Sequence, residues 1–273
     1  MESEATVTTG GVSSWQALVA ALNCTTSTSA IACVRAANAT LIKNIIEVND
    51  ILFPPVPDNI TDSINVAPNI ATKKWADVPF MIGTNANEGR VFEIGQTNLT
   101  AFLASTFAAS TLLQQAIAAM YPANIDGTQE GYYAISDVAT KAAFLCAHHK
   151  IADLATANNY TAYRYYFNAS FPNTMPYPNL GAYHGAEIPL VFGTYDKVNA
   201  TAQQIALSAY MQGAWADFAK NPSAGPGWPK VGSAAADIAD LGGNGSSGEY
   251  QIPTSAIDGS CALYDLVLAV TGI

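Results

Sequence analysis

Charge is scarce in this sequence. Only 12% of its 273 residues are Asp, Glu, Lys or Arg, and just eleven of these are basic. Twenty-one acidic residues leave a net charge of −10. Eleven cations scattered along the chain make no basic stripe, which excludes a phosphate-binding surface; nucleic acid is not an expected partner. No apolar run reaches the roughly 18–20 residues a membrane-spanning helix needs. The nearest approach, Ala262–Val270, carries Asp265 and predicts a final strand or helix. Histidine occurs three times, and neither HExxH nor CxxC spacing is present. Neighbouring His148 and His149 fall in a helical segment, where successive side chains diverge by about 100°, so they do not chelate one ion. No metal site and no cofactor are expected.

Apolar residues, by contrast, make up half of the chain. That excludes disorder and predicts a sizeable core, in one large α/β domain or two small ones. Helical spacing runs through residues 14–24 and 31–47, on either side of the loop NCTTSTSAIAC. Residues 51–70 are rich in Pro, Asn and Asp and read as irregular chain. Val78–Gly83 is a short apolar run bounded by turn residues, as expected of a buried parallel strand with Pro79 near its start. Residues 100–121 and 128–151 read as helical, and the aromatic run Thr161–Phe167 as a strand. Across residues 200–220 a helix is predicted from the stripe Leu207, Met211, Trp215 and Phe218. Residues 221–250 read as a Gly/Ser/Pro-rich loop. Alternating strands and helices favour an α/β architecture, with no linker and no internal repeat.

Four cysteines are present. Cys24 and Cys33 close a short Ser/Thr-rich loop of the kind that carries a disulfide in oxidising compartments. Cys146 and Cys261 remain; they either pair across the fold or stay as two buried thiols. Eight N-x-S/T acceptors occur, at Asn23, Asn38, Asn59, Asn98, Asn159, Asn168, Asn199 and Asn244. Together with the cysteines and the acidic balance they point to the secretory route and to N-linked glycans. The opening MESEATVTTGG nevertheless lacks the hydrophobic region of a signal peptide.

Two stretches carry chemistry. In IGTNANEGRVF, a strand ends in a Gly/Asn turn that presents Glu88. In YHGAEIPLVFG, His184 sits in a turn before an apolar run. Each has an ordinary alternative, an exposed carboxylate in one case and a structural histidine in the other. Taken in this order, acid before histidine, they resemble the type-B carboxylesterase/lipase family, which includes the cholinesterases and secreted fungal lipases. WADFAKNPSAGPGWP (215–229), ALNC…ACVRA (21–36) and FPPVPDN (53–59) resemble further family segments, so the likeness runs from about Met1 to Cys261.

The resemblance implies an α/β-hydrolase sheet and a Ser…Glu…His triad. By position Glu88 would be the acid and His184 the base. Glu187 matches an acidic position that supports the histidine turn, an ordinary surface carboxylate being the alternative. The disulfide Cys24–Cys33 matches the family's short loop. The chemistry accounts for the residue types: imidazole takes a hydroxyl proton, and a carboxylate fixes its tautomer and stabilises the cation that forms.

The serine is what this pattern lacks. No serine here, including Ser13, Ser246, Ser247 and Ser260, lies in the G-x-S-x-G elbow, and no HGGG-like oxyanion segment is present. Both features precede the acid in the family. The chain therefore reads as the C-terminal part of one α/β-hydrolase domain (residues 1–273), a partial fold without its N-terminal strands and nucleophile elbow. Such a chain would act on no ester or lipid alone, and the leader peptide would lie upstream. A non-catalytic interaction module and an incomplete gene product are the alternatives. G-x-G-x-x-G at Gly243–Gly248 resembles a dinucleotide fingerprint but is expected neither to follow a strand nor to open a helix, and is read as a glycine loop.

Overall fold

A computed structural model describes residues 4–53 and 66–270, the side chains of 4–11 and 266–270 excepted. Most of FPPVPDN, with Asn59, and the opening Met1–Ser3 lie outside the described residues. The chain divides into two compact units near residue 66.

The first unit is helical: α1 (Glu4–Ala21), α2 (Ala30–Ala36) and α3 (Ala39–Val48). A Cys24–Cys33 disulfide closes the turn between α1 and α2. The helical spacing across 31–47 resolves into two helices because Asn38 intervenes. Its Oδ1 accepts from the Thr40 and Leu41 amides at 2.8 and 3.2 Å, satisfying donors that open a new helix.

The second unit begins with α4 (Val66–Ala71), a helix where irregular chain was expected, and holds the sheet. Its strands are β1 (Phe80–Asn85), β2 (Ala162–Phe167), β3 (Ile238–Leu241) and β4 (Glu249–Ile252), in spatial order 1-2-3-4. β1 pairs with β2, and β2 with β3, in parallel, while β4 runs antiparallel to β3. The architecture is mixed α/β. β1 starts two residues later than the apolar run, so Pro79, which has no N–H to offer a ladder, stays just outside it.

Between the strands lie α5 (Leu99–Thr106), α6 (Thr111–Ala118), α7 (Gln129–Thr140), α8 (Cys146–Ala157), α9 (Ile188–Val191) and α10 (Ala202–Lys220); α11 (Cys261–Val270) comes last. The predicted helix at 100–121 is two, α5 and α6, because Ser110 caps the Leu113 amide at 3.2 Å. The predicted 128–151 helix is interrupted by a π-helical turn at Lys141–Leu145. Leu207 and Met211 on α10 are fully buried against Phe167, Ala239 and Leu241 of the sheet. α8 packs on β1 and β2. A second core, around Leu103, Ile117, Ile135, Val138 and Tyr264, joins α5, α6, α7 and α11. The Cys146–Cys261 disulfide ties the start of α8 to the start of α11.

Residues 221–250 correct the loop reading, since β3 and the first two residues of β4 lie there. Gly243–Gly248 does follow a strand. It makes a single 3₁₀ turn at Gly243–Gly245 and runs on into β4, as the connection of a β3–β4 hairpin, and opens no α-helix. Asp240 Oδ1 accepts the Gly243 N–H at 3.0 Å and holds that bend.

Candidate active site

β1 ends at Asn85, and the chain turns at once into a single 3₁₀ turn, Glu88–Val91, which presents Glu88 beyond the carboxyl edge of the sheet. In parallel α/β sheets that edge is where functional side chains collect. Glu88 is 5% exposed. Its Oε1 accepts the Asn85 N–H at 2.8 Å, and its Oε2 lies 2.7 Å from His184 Nδ1. Burial pushes the Glu88 carboxyl above the usual carboxylate range; the Asn85 amide and His184 pull it part of the way back.

The turn is seated on α7. The Gly89 N–H donates to Thr140 Oγ1 at 2.9 Å, and Tyr132 Oη donates to the Arg90 carbonyl at 2.8 Å. A Cβ on Gly89 would lie 2.2 Å from the Ser136 carbonyl oxygen, so only glycine permits the approach. On its other side the acid turn is stitched to the histidine segment. Asn87 N–H donates to the Ala182 carbonyl at 3.0 Å, and Ala182 N–H donates to Asn87 Oδ1 at 3.1 Å. Gly181, at φ +62, makes room for Asn87: a Cβ there would sit 2.1 Å from its Oδ1.

His184 belongs to the turn leading into α9. Its side chain is 49% exposed, against 7% for that of Glu88. A ring whose Nδ1–H donates to a carboxylate carries its free lone pair on Nε2, which no described residue hydrogen-bonds. Phe92 and Phe144 flank the ring, each with its centroid 5.1 Å from the imidazole. Glu187 does not touch the histidine directly. Its Oε2 accepts from Asn85 Nδ2 at 2.5 Å, and the same amide donates to the Tyr183 carbonyl at 2.8 Å. Asn85 therefore contacts the acid through its backbone and the histidine turn through its side chain.

Sequence reasoning includes Asn85 and Phe92 in the acid motif but gives them no role, and it passes over Thr140 and Phe144. Asn85 could have been found from its place at the end of a buried strand, where an amide must be satisfied; Phe144 gave no signal.

The other two histidines lie elsewhere. His148 Nδ1 is 2.9 Å from Thr84 Oγ1, and burial, reinforced by the Arg164 charge, lowers its pKa to about 4. His149 sits 3.2 Å from Asp258, which also takes two hydrogen bonds from Arg164. Among the described residues no cluster of His, Cys, Asp or Glu is arranged to hold a metal ion. A cavity of about 360 Å³ opens beside the acid turn, between Asn87, Arg90, Tyr121, Tyr133 and Asp137. Neither Glu88 nor His184 lines it, so it is not the site of the pair.

The Carboxylesterase family profile matches residues 1–262. This chain belongs to the carboxylesterase family. Among curated proteins it is similar to "Secreted lipase 5" of Gibberella zeae, 31% identical over 185 residues, which cover 65% of this chain and 30% of that protein. It is also similar to a "Chlorogenic acid esterase" of Aspergillus niger, 38% identical over 81 residues, 29% of this chain and 16% of that protein. The chain thus spans less than a third of the length of these relatives. The two quoted motifs lie within the matched residues 1–262.

Proposed function

We propose that this carboxylesterase chain supplies the acid, Glu88, and the base, His184, of a serine carboxylic-ester hydrolase. The observation that carries the reading is the 2.7 Å contact between a buried carboxylate and Nδ1 of a half-exposed imidazole. That contact leaves Nε2 as the acceptor for a hydroxyl proton. When the proton arrives, the carboxylate stabilises the imidazolium; when the leaving alcohol departs, the imidazolium returns it. Glu187, through Asn85, supports the turn that carries the base.

The nucleophile and the oxyanion donors belong, on this reading, to strands outside these 273 residues, which form the C-terminal part of one α/β-hydrolase domain. The names of the two fungal relatives support an ester or lipid substrate. A secreted glycoprotein is further supported by two disulfides and by exposed acceptor asparagines at all seven described positions: 23, 38, 98, 159, 168, 199 and 244.

A fluorophosphonate probe and a p-nitrophenyl ester test the reading. The isolated chain should neither label nor turn over ester. A longer polypeptide that adds the nucleophile should label, and His184→Gln within it should abolish labelling. Labelling of the isolated chain, or unchanged labelling of the variant, sinks the assignment.

A further inference from the structure

A hydrogen bond at Nδ1 sets the distance between His184 and Glu88 but leaves the imidazole free to swing about that contact. Solvent reaches half of the His184 side chain, so burial does not fix the ring either. Two phenyl rings stand where a constraint is needed. Phe92 and Phe144 stack on one another at 6.1 Å and 9°, and both meet the imidazole at 5.1 Å, tilted by 49° and 44°.

The two rings are not equivalent. Phe92 is 57% exposed, on the segment just after the acid turn. Phe144 rides on the π-helical turn Lys141–Leu145, which is held at both ends. At its start Thr140, 3% exposed, accepts the Gly89 N–H at 2.9 Å and donates to the Ser136 carbonyl at 2.8 Å. At its end Cys146, fully buried, is bonded to Cys261. A π turn inserts one residue into a helix and rotates the side chains beyond it by about 100°, at a cost that persists only where something compensates for it. Without the insertion α7 and α8 would continue as one regular helix, and the residues beyond the insertion would face elsewhere.

We infer that Phe144 is a positioning residue for His184, aimed by the π-helical turn and anchored through Thr140 to the acid turn and through Cys146 to α11. The inference rests on the reading of Glu88 and His184 as acid and base, but its measurement needs no turnover. Phe144 touches the imidazole and nothing assigned to substrate. Its work is to keep the ring in the one rotamer that points Nδ1 at Glu88.

The chain contains three histidines, so selective ¹⁵N labelling of histidine gives three resolvable ring systems. In the wild-type chain the His184 Nδ1 proton, identified by its loss in His184→Gln, should exchange slowly with water. Phe144→Ala should accelerate that exchange about tenfold, the scale set by the cost of an off-rotamer side chain. Phe144→Tyr should restore it, and Phe92→Ala should have a smaller effect. His148, buried against Thr84, serves as the internal control for folding. If its signal moves in the Ala variant, Phe144→Leu, which keeps most of the volume but lacks the flat ring, should still accelerate exchange while leaving His148 unchanged. A slow proton that survives both substitutions overturns the positioning role alone. A fast proton in the wild type overturns the acid–base pair and this inference with it.

Discussion

The side-chain amide of Asn85 spans the Tyr183 carbonyl and the Glu187 carboxylate, at 2.8 and 2.5 Å, roughly a hundred residues along the chain from its own strand. The last residue of β1 thereby sets where the histidine turn lies. In a polypeptide that also contains the nucleophile, Asn85→Ala should lower kcat/KM about 10- to 100-fold, the penalty for displacing a catalytic group by about 1 Å. KM should hardly change, because the amide contacts no substrate. Steady-state hydrolysis of a p-nitrophenyl ester measures both, and unchanged kcat would refute the role.

Asp258 and Arg164 form a second constraint, remote from the acid and the histidine. Both side chains are almost fully buried and are joined by two hydrogen bonds, at 2.5 and 3.1 Å. Removing one charge strands the other without water. Asp258→Asn should therefore destabilise the chain by about 3–5 kcal/mol, read from urea unfolding midpoints. The double variant that removes both charges should recover part of the loss.

His148 predicts a pH dependence. Its ordinary value of 6.5 falls to about 4 in the folded chain, chiefly because burial disfavours the cation. Below 6.5 the unfolded chain takes up a proton that the folded chain refuses. The contribution is therefore fully present above pH 6.5 and is lost as pH falls toward 4, by about 3 kcal/mol for a shift of this size. His148→Gln should flatten the unfolding free energy across that window relative to the parent. Parallel curves for the two proteins would contradict the assignment.

The two disulfides should differ in what they contribute. Cys146–Cys261 closes a loop of 115 residues and Cys24–Cys33 one of nine. On the loop-entropy account the first stabilises by about 5 kcal/mol and the second by about half of that. Thermal melts of the two double Cys→Ala variants test the order, and equal losses would argue against it.

How much of this was legible beforehand depends on the element. The stripe of Leu207, Met211, Trp215 and Phe218 announced α10 because a helix against a sheet must repeat its apolar contacts. β1 and β2 were visible as short apolar or aromatic runs. β3 and β4 were not: four residues each, embedded in Gly and Ser, they are strands only because β2 offers β3 a ladder and β3 offers one to β4. Asn38 and Ser110 divide helices whose apolar periodicity runs on through them, so caps outweighed pattern there. Glu88 and His184 drew notice through the motifs around them, and a 2.7 Å contact joins them. Phe144 and the π turn left no trace in composition, since an inserted residue looks like any other residue in an apolar helix.

The parallel pairing of the strands also has a kinetic side. β1 meets β2 across 82 positions (162 − 80) and β2 meets β3 across 74 (238 − 164). Ladders closed over such long separations zip late, after much chain entropy has been surrendered. Four thiols offer three ways of pairing in the meantime. Refolding from the reduced state becomes a race in which premature oxidation captures Cys146 with a neighbour it should never meet, and a thiol-exchange buffer decides the yield.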